Sequence, residues 1–425
     1  MASSITESAA KFALRFYQKL SQDKPSENLL FSPLNLSAAL SLLLYGARSS
    51  TAQELEKVIR EQEESIRKSR SQSPPPDGPL APYFEPSSSP CPQQNVPEYE
   101  CEKPEGNHTE FHKILAYLNK ATTKYELSFA NRFYGDDSIA FNQQFVFCAL
   151  KLFLTQVSNV DFQNAPEEFR KIINAWVEVQ THGKIQNLLR KENITSLTQL
   201  LHVNALYFKG QWDVQFDKWR TRKSPFHVTE MTYNTVDLMH HKGQYKTGTI
   251  ELCDMHVQVL EIPYKDNELS MFILLPDDWS SEGLQQLEEE LTYEKVTEWV
   301  CQKQLKLEEV EVAIPKIKME KNILTAKLLE ALDVTQVLDP KMADLTGITL
   351  TEDVALSEIV HSASLEVDEE GGEEPRCQID RHLRRRPCAQ FVADHPFLFF
   401  VLHNCSGSIL LLGRFVKPER RCGFH

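Results

Sequence analysis

The chain has 425 residues, 41% of them hydrophobic and 25% charged, and a formal net charge of −14 at pH 7. That charge argues against a general binder of nucleic acid or of acidic membranes, and no run approaches the ~18 apolar residues of a membrane span. The length suits one large domain as well as two or three, and it is ample for a large core.

Met1 to Glu7 has neither a basic n-region nor an apolar h-region, so it does not read as a secretory signal. The nine cysteines are scattered and form no Cys-x-x-Cys pair and no zinc-ligand spacing. They are expected as free thiols in a reducing compartment. Asn107, Asn193 and Asn404 open glycosylation sequons, which matter only in a secreted chain.

The first helix is signalled by Ser4-x-x-Glu7, a capping box. Phe12, Phe16 and Leu20 then recur at i+4 on one face. Gln22 to Asn28 reads as a loop. Ser32-Pro33 opens a second helix, with serine as N-cap and proline in the first turn. Its body, Leu34 to Tyr45, is apolar nearly all round and therefore buried on most sides. Gly46 ends it, and Ser50-x-x-Gln53 opens a third helix.

From Glu61 to Gly106 the composition shifts to proline, serine, glutamine and charge. Such a segment buries too little apolar surface to offset its ordering entropy, so it is expected as a disordered insertion. Tyr83-Phe84 and Tyr99 are candidate docking points within it. Ile66 to Pro74 is basic and serine-rich, the composition of a nuclear-localisation or phosphorylation segment.

A helix from Phe111 to Lys120 leads into the alternating run Tyr125 to Tyr134, a strand. Pro166 opens an amphipathic helix with Phe169, Ile172, Ile173, Trp176 and Val177 on one side, stopping before Gly183. Strands are expected at Leu201–Phe208, Val257–Ile262, Ser270–Leu275, Val310–Ile314, Ala355–Val367, Leu398–His403 and Ser408–Phe415, with a further helix at Asn322–Leu332. Helices crowd the first half and strands the second, without βαβ alternation, which predicts an α+β fold with antiparallel or mixed sheets.

The chain carries no Gly-x-Ser-x-Gly elbow, no His-Glu-x-x-His and no phosphate-cradling glycine loop. Adjacent His240 and His241 would point to opposite faces of a strand, which argues against shared metal ligation. Glu288-Glu289-Glu290 reads as a solvated helix face. No catalytic residue, metal site or cofactor is expected. The polar stretch Asp368 to Gln390 lies between two apolar segments, and a polar loop that long is functional or disordered.

Several segments carry a resemblance to a known family. They are Phe31-Ser32-Pro33-Leu34, Thr181-His182-Gly183-Lys184-Ile185, Asn204-Ala205-Leu206-Tyr207-Phe208-Lys209-Gly210-Gln211-Trp212, Leu274-Leu275-Pro276-Asp277 and Pro315-Lys316. Ala343 to Gly347, His361, Glu369-Glu370-Gly371 and Asp394 to Phe399 continue the series. In this order they resemble a serpin across nearly the whole chain. The N-terminus, the insertion after the third helix and Gly413-Arg414-Phe415 are similar to the ovalbumin-type, intracellular clade.

The resemblance implies one serpin domain over 1–425, with three β-sheets, about nine helices and an exposed reactive-centre loop at 368–390. The 61–106 insertion would lie within that domain. A serpin loop is bait: after cleavage its hinge inserts as a new central strand of the largest sheet and carries the acylated protease along. By motif, the shutter beneath that sheet falls on Ser32, Asn35, Asn204 and His361, and Trp212 marks the top of the sheet where insertion begins. Asn35 stands where the family often has serine.

The hinge keeps Glu369-Glu370-Gly371 and then departs. Inhibitory serpins continue with threonine and small apolar residues; this chain continues Gly372, Glu373, Glu374, Pro375, Arg376. A strand buries alternate residues, and the alternation the family pattern would bury holds Gly372, Glu374, Arg376, Gln378 and Asp380. Each uncompensated buried charge costs several kcal/mol, ~3–5, and Pro375 removes a ladder hydrogen bond from a central strand. The loop is slightly shorter than in typical inhibitory relatives, counted from Gly371 to Phe391.

The bait segment is rich in arginine. Leu383, Arg384, Arg385 and Arg386 bracket the expected scissile bond, and with Arg381 they suit proteases with an acidic specificity pocket. Pro387 opposes cleavage after Arg386. The expected function is thus a serine-protease inhibitor scaffold directed at trypsin-like enzymes, with cysteine proteases as a second class, whose hinge impairs inhibition. The alternatives are a non-inhibitory serpin acting by protein binding, or a nuclear or scaffold role through the insertion. The expected state is a monomer in the cytoplasm or nucleus, released if at all without a cleaved signal peptide.

Overall fold

A computed structural model describes residues 4–60, 101, 108–229, 231–252, 255–300, 304–373 and 388–419. The first half holds α1 (Ser4–Asp23), β1 (Leu29–Phe31), α2 (Pro33–Gly46), α3 (Ser49–Arg60), α4 (His108–Leu118), β2 (Tyr125–Asp136), α5 (Gln143–Phe153), β3 (Gln156–Val160) and α6 (Pro166–Gln180). Strands then dominate: β4 (Leu200–Gly210), β5 (Trp212–Val214), β6 (Arg222–Thr229), β7 (Thr232–Leu252), β8 (Met255–Pro263) and β9 (Leu269–Pro276). After α7 (Ser281–Glu289) and α8 (Tyr293–Trp299) come β10 (Lys306–Pro315), β11 (Ile317–Leu324), α9 (Ala326–Glu330) and β12 (Leu356–Val367). The chain closes with β13 (Gly371–Glu373), β14 (Ala389–Val392), β15 (Phe397–His403) and β16 (Ser408–Phe415).

Among the described residues the strands form three sheets. A nine-stranded sheet runs β1-β16-β15-β9-β8-β7-β10-β14, with β6 on β7; a five-stranded sheet runs β11-β12-β4-β2-β3; β13 and β5 make a pair of their own. The site develops in the five-stranded sheet, not in the larger one, because its two central strands, β12 and β4, run parallel.

The local chemistry explains why these elements form. Ser32 caps α2 by accepting a hydrogen bond from Asn35 N at 3.2 Å, and Pro33 fills the first turn, where its missing N–H is not needed. In α1, Phe12, Phe16 and Leu20 are buried as their spacing predicts. Strand β4 is buried on both faces: Leu201, Val203, Ala205 and Tyr207 pack with Ile173 and Val177 of α6, while Leu206 and Phe208 join the main core.

Five expectations are corrected. The segment Asn322–Leu332 is not one helix: Asn322 to Leu324 end β11, and α9 is only five residues long. Strand pairing with β12 overrides helix propensity there. Ile172 is 50% exposed, because α6 buries the Ile173 and Val177 stripe. Glu288 is not solvated but 6% exposed, bound to Arg414 at 2.7 Å and accepting from Tyr17 Oη at 2.5 Å. The cysteines are not all free: Cys101 and Cys148, both buried, form a disulfide with Cα atoms 5.5 Å apart, and Cys405 is also disulfide-bonded. The hinge, finally, leaves the five-stranded sheet rather than the largest one.

Candidate functional site: the β4–β12 seam and its hinge

Strands β4 and β12 pair in parallel from Leu200 and Leu356 up to Lys209 and Glu366. The seam between them is therefore closed along its length. At its end β12 gives way to Asp368, Glu369 and Glu370, and the pairing resumes outside the five-stranded sheet. There Gly371 faces Trp212 and Glu373 faces Val214, again in parallel. The start of the hinge is thus already in a ladder, on β5.

The hinge is held by backbone and charge together. Trp212 N donates to Glu370 O at 3.0 Å, Phe216 N to Glu369 O at 3.0 Å, and Trp212 Nε1 to Asp368 O at 2.7 Å. Trp212 itself is 1% exposed and stacks on Tyr264, with ring centroids 4.5 Å apart. Lys209 bonds Asp368 at 2.8 Å and Glu370 at 2.9 Å. Burial alone would lower the Lys209 ammonium pKa, but these two carboxylates outweigh it and raise it. At Gly371, an added Cβ would lie 2.4 Å from the Gln215 backbone, so only glycine fits this close approach.

Glu369 is the buried pin. Its carboxylate accepts from Lys316 Nζ at 2.7 Å and from Thr221 Oγ1 at 2.8 Å. Burial pushes this carboxyl up, but Lys316 and Thr221 win and hold it below the usual range. A depressed carboxylate contributes stability above its unfolded value and loses it as pH falls through the folded value. Glu369→Gln is therefore expected to cost about 1 kcal/mol at pH 7, given that Lys316 is partly exposed. Urea midpoints of wild type and variant should converge as the pH is lowered below about 4.

Beneath the seam lies a polar cluster in an apolar core. Ser32 N donates to His361 Nε2 at 2.9 Å, so that nitrogen accepts and Nδ1 carries the proton. Nδ1 then donates to Asn204 Oδ1 at 2.6 Å. Asn204 Nδ2 donates to Asn131 Oδ1 and to Asn35 O, both at 3.1 Å. Asn35 and Asn131 complete the network as a reciprocal amide pair, at 3.1 and 2.7 Å. Burial pushes the His361 imidazole down to about 3, with His202 adding to the effect. His361 is therefore neutral at pH 7, as its two hydrogen bonds require.

The structure brings Ser32, Asn35, Asn204 and His361 together, and Trp212 meets Asp368, Glu370 and Gly371 at the end of the seam, with Glu369 held by Phe216 beside it. Gly372 lies within β13. Glu374, Pro375, Arg376, Leu383, Arg384, Arg385 and Arg386 lie outside the described residues, as do Tyr83, Phe84 and Tyr99. Sequence reasoning missed Asn131, Lys209, Thr221 and Lys316 as partners. Asn131 carried a signal, an amide amid apolar strand neighbours; Lys209 and Lys316 stood in the quoted motifs without an assigned partner, and Thr221 is brought to Glu369 only by the fold.

A closed seam of parallel strands, a polar cluster below it and a hinge at its end define a serpin. The family model of Serpin (serine protease inhibitor) matches residues 7–418, and the chain belongs to that family. It is 36% identical to human leukocyte elastase inhibitor over 97% of this chain and 99% of that protein. It is 35% identical to human Serpin B3 over 98% of this chain and all (100%) of that protein. The crystal structure of uncleaved ovalbumin superposes with a TM-score of 0.83 at 29% identity, covering 98% of this chain and 100% of that one.

Proposed function

We propose that this serpin presents an arginine-rich bait to trypsin-like proteases, and that its hinge opposes the insertion needed to trap them. The observation that carries this reading is the hinge itself. Its first residues pair with β5 and are tied down through Lys316, Thr221 and Lys209. The residues that follow, Glu374, Pro375 and Arg376, are poor material for a buried central strand. Insertion must break the first set of contacts and bury the second set of side chains.

Leukocyte elastase inhibitor is by its name directed at an elastase, whose specificity pocket is small. Arg384, Arg385 and Arg386 instead suit an acidic pocket, so the protease-directed role carries over while the target class changes. The outcome of an encounter is then cleavage of the loop and release of active protease. Incubation with a panel of trypsin-like and cysteine proteases, followed by SDS gels, tests this. The expected result is loop-cleaved serpin and free protease from the trypsin-like enzymes; a covalent complex that survives boiling in SDS overturns the reading.

A further inference from the structure

His202 is a buried titratable group that neither the hinge nor the polar cluster uses. It lies in β4 two residues before Asn204, is 1% exposed, and neither ring nitrogen has a hydrogen-bond partner. Its ring meets Phe133 of β2 edge-on, 5.4 Å between centroids, and Ile359 of β12 is its register partner across the seam. His202 in turn lowers the His361 imidazole of β12 electrostatically. No carboxylate or cation of β2, β4, β12 or the helices beneath them shifts its titration; only burial does. An apolar residue would fill this place without leaving two polar atoms unpaired.

We propose that His202 makes the β4–β12 seam acid-sensitive, with protonation of His202 and then His361 favouring the separated strands over the paired ones. A histidinium at His202 needs two acceptors, and the closed seam provides none. A proton on His361 Nε2 would face the Ser32 N–H that now donates to it. Separating the strands admits water, which satisfies both rings.

The sign of the effect follows from linkage. The closed seam holds both imidazoles down at about 3 through burial, whereas hydrated rings titrate near ~6.5. Above ~6.5 neither state takes up protons, and the closed seam keeps its full advantage. As pH falls below that value, the open state gains protons and the advantage shrinks about tenfold per unit for each histidine. At pH 5 that is about thirtyfold for His202 alone and about a thousandfold for the pair. This switch acts on the sheet and does not depend on which protease reads the bait.

Amide hydrogen exchange of the full chain at pH 7.5 and pH 5.0, corrected for intrinsic exchange rates, tests it. Protection of β4 and β12 amides should drop sharply at pH 5.0, while β8 and β9 in the nine-stranded sheet hold theirs. In His202→Leu the drop should be about thirtyfold smaller, with protection at pH 7.5 equal to wild type or better. His202→Gln, which is polar but does not titrate, should show the same smaller drop if the leucine variant folds poorly. Wild-type pH dependence in both variants, or an equal loss in β8 and β9, overturns the proposal.

Discussion

Asn204→Ala is expected to destabilise the protein by about 2–4 kcal/mol and to lower Tm by roughly 2–5 °C. The truncation strips His361 Nδ1–H of its acceptor and removes a donor from Asn131 Oδ1 and from Asn35 O, all in the buried interior. A buried donor left unpaired costs more than its hydrogen bond contributed, and the members of such a network polarise one another. The void left by the side chain adds to the loss. The effect should exceed that of Glu369→Gln, because Lys316 beside Glu369 is partly exposed whereas every residue of this cluster is buried. Leu350→Ala, at a site 79% exposed, is the control and should change Tm by less than about 1 °C. Differential scanning calorimetry of the wild type and the three variants measures the comparison.

The same cluster marks how far the sequence could be read. Ser32-Pro33 announced a helix cap because that role rests on local chemistry, whereas a shutter role for Ser32 is implied only by the family resemblance. Strands β8, β9, β15 and β16 were legible from their apolar runs. Helix α5 was not, because Phe145-Val146-Phe147 within Gln143 to Phe153 reads equally as strand. Strand β7 was missed because its long exposed stretches lack alternation. Glu288 looked solvated beside two further glutamates, and only the fold brings Arg414 and Tyr17 to it. Cys101 and Cys148 stand 47 residues apart, a separation that says nothing of their meeting. The hinge shows both limits at once. Glu369-Glu370-Gly371 was readable as a motif, whereas its pairing with β5 depends on a register no local pattern encodes.

The second large effect concerns the cut loop. Full insertion between β4 and β12 would add a central strand with ladders on both sides, a gain of many hydrogen bonds and much buried surface. Here the inserting face would carry Glu374 and Arg376, and Pro375 would leave a gap in one ladder. With Asp380 on the same face, three uncompensated charges at ~3–5 kcal/mol each offset most of that gain. The combined variant Glu374→Ala, Pro375→Ala, Arg376→Ala, Asp380→Ala removes all four obstacles while leaving the arginine-rich bait untouched. Its loop, once cleaved, is expected to insert and raise Tm by about 10 °C or more.

The central claim is that the wild-type hinge does not enter the seam. Limited cleavage of the 374–387 segment with trypsin, followed by calorimetry of the intact and cleaved proteins, addresses it directly. The expected result is a Tm that changes by less than about 3 °C on cleavage, with β4 and β12 still paired to each other. A rise of about 10 °C or more in the wild-type protein would contradict the account.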